Sequence, residues 1–289
     1  MEENKFDKCF QQFASVQPDA ILAEKANGLI ERHFAENYTL DVLKQIYGCV
    51  DLTTLSSLDS RETVWKLVEK VNVWEGTYPD VPNVAGICTY PVFVETVKQS
   101  LLAKDVKIVS VAAGFPSSQT FPEVKVAETA LAAMAGADEI DVVLNLGLFM
   151  EEAFEELTDE LIEIRESCRG AKLKVILETG ALATAGNIRK AAILAMYSGA
   201  DFVKTSTGKG YPGATPEAVY ILCQVIKRYA TLSGRKVGIK VSGGIRTVVE
   251  AVHYYTLVKE LLGKDWLNSE RFRIGASALL SDIEKQLEQ

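Results

Sequence analysis

Two lysines fall where apolar strand-like runs would bury them, Lys204 in DFVKTSTGKG and Lys240 in VGIKVSGGIR. Enclosing an ammonium is costly, so a lysine inside such a run needs a partner or a task. Side chains alternate along a strand. With Val203 and Thr205 on one face, Lys204 takes the other, and Val237, Ile239 and Val241 leave Lys240 opposite them. Neighbouring strands lie about 4.8 Å apart. Two ammonium groups about 6 Å apart repel by roughly 2.8 kcal/mol at an effective dielectric near 20. That is about two pKa units, enough to bring one lysine to about 8. A partly neutral amine attacks carbonyl groups. A lone strand-end lysine could equally snorkel to solvent; the pair points to a Schiff base.

Asp141 in DEIDVVLN shares the alternation: Ile140, Val142 and Leu144 form one face and leave Asp141 and Asn145 on the other. A carboxylate beside two lysines can orient a water and relay protons, or serve only as their counter-ion. Ser242-Gly243-Gly244-Ile245-Arg246 and Gly275-Ala276-Ser277 follow the last two strand-like runs. Paired glycines bring backbone N–H groups close to a phosphate, and Lys209 after Gly208 adds charge. Asp51 and Thr53, two apart, are positioned for substrate hydroxyls. Cys88 in ICTY is placed close to them, although a buried core thiol is the better account of it. His33 and His253 are the chain's two histidines, with no carboxylate or cysteine cluster beside them in the sequence, so no metal is expected.

Eight short β-branched runs can position these groups, beginning near Cys49, Val84, Lys107, Glu139, Lys172, Asp201, Val237 and Phe272. One helical segment fits in each gap, and strand–helix alternation at a period of about 30 residues signals parallel βαβ units. Pro122 opens a helix that ends at Gly136, Asn187 is a candidate cap for IRKAAILAMYS, Thr215-Pro216 starts another helix, and Thr247 with Glu250 forms a capping box. The spacing predicts an α/β fold, a (β/α)8 TIM barrel over residues 49–289. The rival is an open doubly wound sheet, weakened because no early G-x-G-x-x-G follows a strand. Residues 1–48 carry Ile21, Leu22, Leu29 and Ile30 and then DVLKQIY, which predict a helical extension packed on the bottom or side of the barrel.

The composition, 48% hydrophobic and 24% charged over 289 residues, supports one large core. A net charge of −8 without a basic block argues against a nucleic-acid partner. No apolar run suits a membrane span. The acidic start MEENKFDK lacks a signal sequence, and five scattered cysteines give no disulfide framework, so a cytoplasmic enzyme is expected.

The stretches VDLTTL, AGICTYP, GADEIDVVLN, KVILETG, GADFVKTSTGKG, KVSGGIR and RIGAS, in that order over roughly residues 48–285, closely resemble the deoxyribose-phosphate aldolase family of class I barrel aldolases. The resemblance implies that Lys204 forms the Schiff base with acetaldehyde, that Lys240 perturbs it, and that Asp141 relays protons. It implies substrate-hydroxyl contacts at Asp51 and Thr53, with Cys88 and Thr207 as further substrate-side residues. Gly208, Lys209, Gly243, Gly244, Arg246, Gly275 and Ser277 match the region around the substrate phosphate. The implied reaction is reversible cleavage of 2-deoxy-D-ribose 5-phosphate to D-glyceraldehyde 3-phosphate and acetaldehyde, with small-molecule partners and no organic cofactor. A homo-oligomer such as a dimer is compatible with the sequence, which does not specify the assembly. Three features depart from the family pattern: a longer N-terminal extension, Ala278 where some members carry serine, and a chain ending at Gln289 without a tyrosine-bearing tail. The alternatives are a Schiff-base aldolase for another sugar phosphate and a non-catalytic sugar-phosphate-binding barrel.

Overall fold

Eight parallel strands close into one barrel in chain order: β1 Val50–Thr53, β2 Gly86–Thr89, β3 Lys107–Ala112, β4 Glu139–Val143, β5 Lys172–Ile176, β6 Phe202–Lys204, β7 Gly238–Ser242 and β8 Phe272–Ala276. This computed structural model describes residues 4–13, 18–75, 77, 78 and 80–288, so the first three residues of the acidic start and the terminal Gln289 lie outside it. The eight predicted runs are the eight strands, and the doubly wound alternative is excluded by the β8–β1 pairing of Asp51 with Gly275.

The strands are short and buried on both faces, which is the environment that β-branched runs suit. Their outward side chains, such as Ile140, Val142, Val203, Ile239 and Val241, are sealed by the surrounding helices. Full burial of one such side chain contributes about 1.5–3 kcal/mol.

Helix ends follow local chemistry. Thr215 caps Pro216–Ser233 through the Ala218 N–H, and Thr247 with Glu250 makes a reciprocal capping box on Val248–Leu262. Gly136, at φ +111°, ends the helix Pro122–Ala135 in the left-handed conformation that glycine adopts without strain. The helix expected to be capped by Asn187 begins earlier: Thr184 caps Ala185–Tyr197 by accepting the Asn187 N–H, and the Asn187 amide bonds the Leu182 carbonyl instead. Threonine precedes the small pair Ala185-Gly186, whose backbone joins the first turn although neither side chain announces a helix.

Before β1, Leu22–Asn37 buries Leu22, Ala26 and Ile30 and packs on the helices Pro216–Ser233 and Val248–Leu262. Leu40–Tyr47 then leads into β1 and buries Leu43, Ile46 and Tyr47. Buried Asn37 ties this segment to the barrel by donating to Thr256 Oγ1 at 3.0 Å and accepting from Lys259 Nζ at 2.6 Å. His33 does gather carboxylates, contrary to expectation: the fold brings Glu260 within 3.8 Å of Nε2, and Glu36 lies 3.1 Å from Nδ1. Glu36 lies one turn from His33 on the same helix, and Glu260 joins them only when a helix far away in sequence packs alongside. Lys259 already neutralises Glu36. No helix of the described residues is long and apolar enough to cross a membrane.

Candidate active site

Alternation carries seven charged side chains into the barrel: Asp51 from β1, Glu139 and Asp141 from β4, Lys174 from β5, Lys204 from β6, Lys240 from β7 and Arg273 from β8. None is more than 3% exposed. Glycines make the room. A Cβ on Gly238 would meet the Phe202 ring at 2.4 Å, and one on Gly275 would come within 3.2 Å of Lys240 Cε.

Asp141 is the hub. Its Oδ2 accepts from Lys204 Nζ and Lys240 Nζ, each at 2.8 Å, and its Oδ1 accepts from Lys174 Nζ at 3.0 Å. Residues 204 and 240 are paired in register, so the two amines come from adjacent strands and share one oxygen. Below them, Lys240 reaches Asp51 at 2.5 Å and Lys174 reaches Glu139 at 2.6 Å. Arg273 closes the network with one nitrogen on Asp51 and the other on Glu139 at 2.8 Å.

The lysines differ in their ionisation. Burial pulls Lys204 below the ordinary lysine value, Asp141 opposes it, and the charge on Lys240 pushes it further down. Burial acts downward on Lys240 too, but Asp141 and Asp51 outweigh it and hold that ammonium firmly charged. Lys174 is likewise raised against burial by Asp141, Glu139 and Asp51. Burial would raise the Asp141 carboxyl, yet Lys174, Lys204 and Lys240 hold it well below the usual carboxylate range. Repulsion between two lysines is therefore the smaller cause of the perturbation expected from sequence; loss of solvent is the larger.

Above this network lies a cavity of about 570 Å³ with Lys204 at its floor. Thr53, Thr207, Gly208, Lys209, Gly243, Gly244, Arg246, Gly275 and Ser277 line it, all from the strand C-terminal ends and the loops beyond. Lys209 spans the mouth by donating from Nζ to the Leu55 carbonyl at 2.7 Å. Gly243 and Gly244 have φ of +92° and +84°, and Gly243 lies against Gly213 so closely that a Cβ would touch Gly213 Cα at 2.8 Å.

Three expectations change. Asp51 does not face the cavity: it is fully buried and taken up by Lys240 and Arg273, so it acts as a counter-ion. Cys88 is also fully buried, which bears out the core-thiol reading and overturns the substrate-side one: it packs with Leu55, Val109 and Val111, and burial pushes its thiol above the ordinary value. Asn145 leaves the barrel interior, because it caps the short helix Leu146–Met150 and donates to Glu160.

Lys174, Glu139 and Arg273 went unnoticed in the sequence, although KLKVIL, EIDVV and FRIGA carry them at the inward phase of each strand. Glu178 gave a weaker signal. It sits after β5 at φ +54°, a left-handed conformation strained for a side-chain-bearing residue. Its buried carboxylate accepts the Thr207 backbone N–H and hydroxyl, which pins the loop beside Lys204.

This arrangement can present an amine that loses its proton more readily than an ordinary lysine to a carbonyl beneath a backbone-rich, cationic rim. A sequence model of the DeoC/LacD family aldolases matches residues 47–284. The chain belongs to that family. It is an aldolase, a carbon–carbon lyase. A deoxyribose-phosphate aldolase of Homo sapiens is 40% identical over 253 residues, covering 82% of this chain and 78% of the human protein. The Mus musculus enzyme of the same name is 41% identical over 248 residues, covering 82% and 78%. The solved deoxyribose phosphate aldolase of Aeropyrum pernix, described as a tetramer, superposes with a TM-score of 0.68 at 27% identity, covering 89% of this chain and 96% of that one.

Proposed function

We propose that this aldolase cleaves 2-deoxy-D-ribose 5-phosphate reversibly to D-glyceraldehyde 3-phosphate and acetaldehyde, with Lys204 as the nucleophile. The observation that carries the reading is a buried lysine with a lowered pKa at the floor of a cavity, bonded at 2.8 Å to a carboxylate that it shares with a second lysine. The likeness to the human and mouse enzymes supports the substrate.

The neutral Lys204 amine adds to C1 of the open-chain sugar, and loss of water gives a protonated imine. The C3 hydroxyl then loses its proton, the C2–C3 bond breaks, and its electron pair enters the iminium to form an enamine. Glyceraldehyde 3-phosphate departs as C3 becomes a carbonyl. Protonation of the enamine at C2 and hydrolysis release acetaldehyde and return the amine. Asp141 orients the water that moves these protons, and Lys240 keeps its charge throughout. Thr53 and Thr207 meet substrate hydroxyls. The N–H groups of the Gly243-Gly244 and Gly275–Ser277 loops, together with Gly208, Lys209 and Arg246, hold the phosphate. Homodimeric association and a cytoplasmic setting belong to the same reading. The tetramer described for the Aeropyrum pernix relative supports association of copies in general, without favouring the dimer, and five unpaired cysteines, four of them buried, support the second.

The direct test couples turnover of 2-deoxyribose 5-phosphate to detection of glyceraldehyde 3-phosphate, with borohydride trapping of acetaldehyde and peptide mapping. A two-carbon adduct on Lys204 is the expected result; an adduct found only elsewhere refutes the assignment. The phosphate subsite has its own expectation. Arg246→Ala should raise KM for the phosphorylated sugar by roughly tenfold or more, the worth of one lost charge-assisted contact. It should hardly change the rate with unphosphorylated deoxyribose. Equal losses on both substrates would place the phosphate elsewhere.

A further inference from the structure

The barrel holds four cations and three carboxylates. Lys174, Lys204, Lys240 and Arg273 face Asp51, Glu139 and Asp141, and all seven are shut away from solvent. Ion pairs enclosed this tightly favour equal numbers of the two signs, because an unmatched buried charge is costly. One cation is therefore in excess, and it is the one with the fewest anionic contacts. Lys174 touches Asp51, Glu139 and Asp141; Lys240 touches Asp51 and Asp141; Arg273 touches Asp51 and Glu139. Lys204 has one such contact, with Asp141.

We propose that Glu139 and Arg273, at the end of the barrel away from the cavity, are positioning residues that set the protonation of Lys204 by fixing how many charges the barrel encloses. This rests on the reading of Lys204 as the nucleophile. Glu139 lies two residues before Asp141 on β4, and Arg273 three residues before the end of β8, so neither reaches the cavity that receives substrate. Their influence runs through the shared partners. Arg273 occupies Asp51 and Glu139, which would otherwise be free to stabilise another cation. Glu139 takes part of the charge of Lys174 and Arg273, which would otherwise bear more heavily on Asp141 and Asp51.

Two further titratable groups face Lys204. Cys88 on β2 is held towards its neutral form by burial, and the buried Glu178 after β5 accepts from Thr207 and, when ionised, offsets part of the surplus. Both are unchanged in the variants below, so they do not alter the direction of the shifts between them, and the outward neighbours Val203 and Thr205 carry no charge. A charge about 10 Å away, at an effective dielectric near 20, moves a pKa by roughly one unit, which is about tenfold in neutral amine below the midpoint.

Opposite shifts from two opposite neutralisations are the signature. Acetaldehyde is mixed with the full-length protein, quenched with borohydride at a fixed short time, and the Lys204 adduct is quantified by peptide mapping across pH. Glu139→Gln removes an anion and should move the trapping midpoint down, raising the adduct about tenfold at pH values below the wild-type midpoint. Arg273→Met removes the surplus and should move the midpoint up, lowering the adduct about tenfold. The double variant Glu139→Gln with Arg273→Met restores an excess of one and should return the midpoint towards wild type. Arg273→Lys and Glu139→Asp keep charge while changing shape, and should keep the wild-type midpoint. These two carry the test if a neutralised single variant fails to fold. Shifts of the same sign, no shift in folded variants, or shifted charge-keeping variants would overturn the proposal. Wild-type protein that traps no acetaldehyde at Lys204 would instead refute the assigned nucleophile.

Discussion

Lys204→Leu should abolish cleavage of 2-deoxyribose 5-phosphate at every pH, a loss on the order of 10⁴-fold or more, as expected when a covalent nucleophile is removed. Leucine is apolar and fills much of the same space, and the three carboxylates keep Lys174, Lys240 and Arg273 as partners. The variant should therefore fold. It should also differ from wild type in the pH dependence of its stability. The folded pKa of Lys204 is lowered from 10.5. Between that lowered value and 10.5 the unfolded chain binds the extra proton, so this group makes wild-type stability rise with pH. Leucine removes that rise. Thermal unfolding across pH, alongside the coupled activity assay, checks both statements. Residual activity within a hundredfold of wild type would mean that another group forms the imine.

The second large effect is expected at neutral pH in Lys240→Leu. Its loss removes a positive charge that lowers the Lys204 pKa, and it frees Asp51 and Asp141 to stabilise a protonated Lys204. Both changes raise the nucleophile's pKa. A rise of about two units lowers the neutral fraction near pH 7 by roughly a hundredfold, since each unit is tenfold. Activity should recover as pH increases, in contrast to Lys204→Leu. Recovery should begin below the ordinary lysine value, because burial, the larger influence on Lys204, is untouched by the substitution. The pH–rate profile of this variant beside wild type is the measurement. An unchanged profile would show that Lys240 does not tune the nucleophile.

Both variants turn on inward charges that period-two alternation makes legible. DFVKT, VGIKV and EIDVV display Lys204, Lys240 and Asp141 opposite outward apolar faces, because strand geometry converts sequence parity directly into direction. The barrel was legible for a related reason: eight β-branched runs at a near-constant spacing leave room for one helix each. Thr215, Pro216, Thr247, Glu250 and Gly136 mark helix ends because capping chemistry is local.

What alternation could not convey was depth. Asp51 and Thr53 share a face, yet Thr53 lines the cavity while Asp51 lies beneath it. Parity states which side of a strand a residue occupies; barrel stagger decides how far from the mouth it sits. Cys88 is likewise hidden although it pairs with Thr53, because Leu55, Val109 and Val111 pack around it. Asn145 escapes the pattern altogether, since β4 ends at Val143 and the chain turns into a helix that needs a cap.

By itself, then, the sequence determined the strand–helix order, the inward phase of the reactive groups and the glycine-rich turns, all of which follow from local geometry. Only the tertiary structure decided which charges meet. Asp141 gathers lysines from β5, β6 and β7, and Arg273 joins β1 to β4, because barrel closure brings together residues up to 222 positions apart. The ionisation of Lys204 depends on that assembly, since both the loss of solvent and the surplus of positive charge exist only once the barrel has closed.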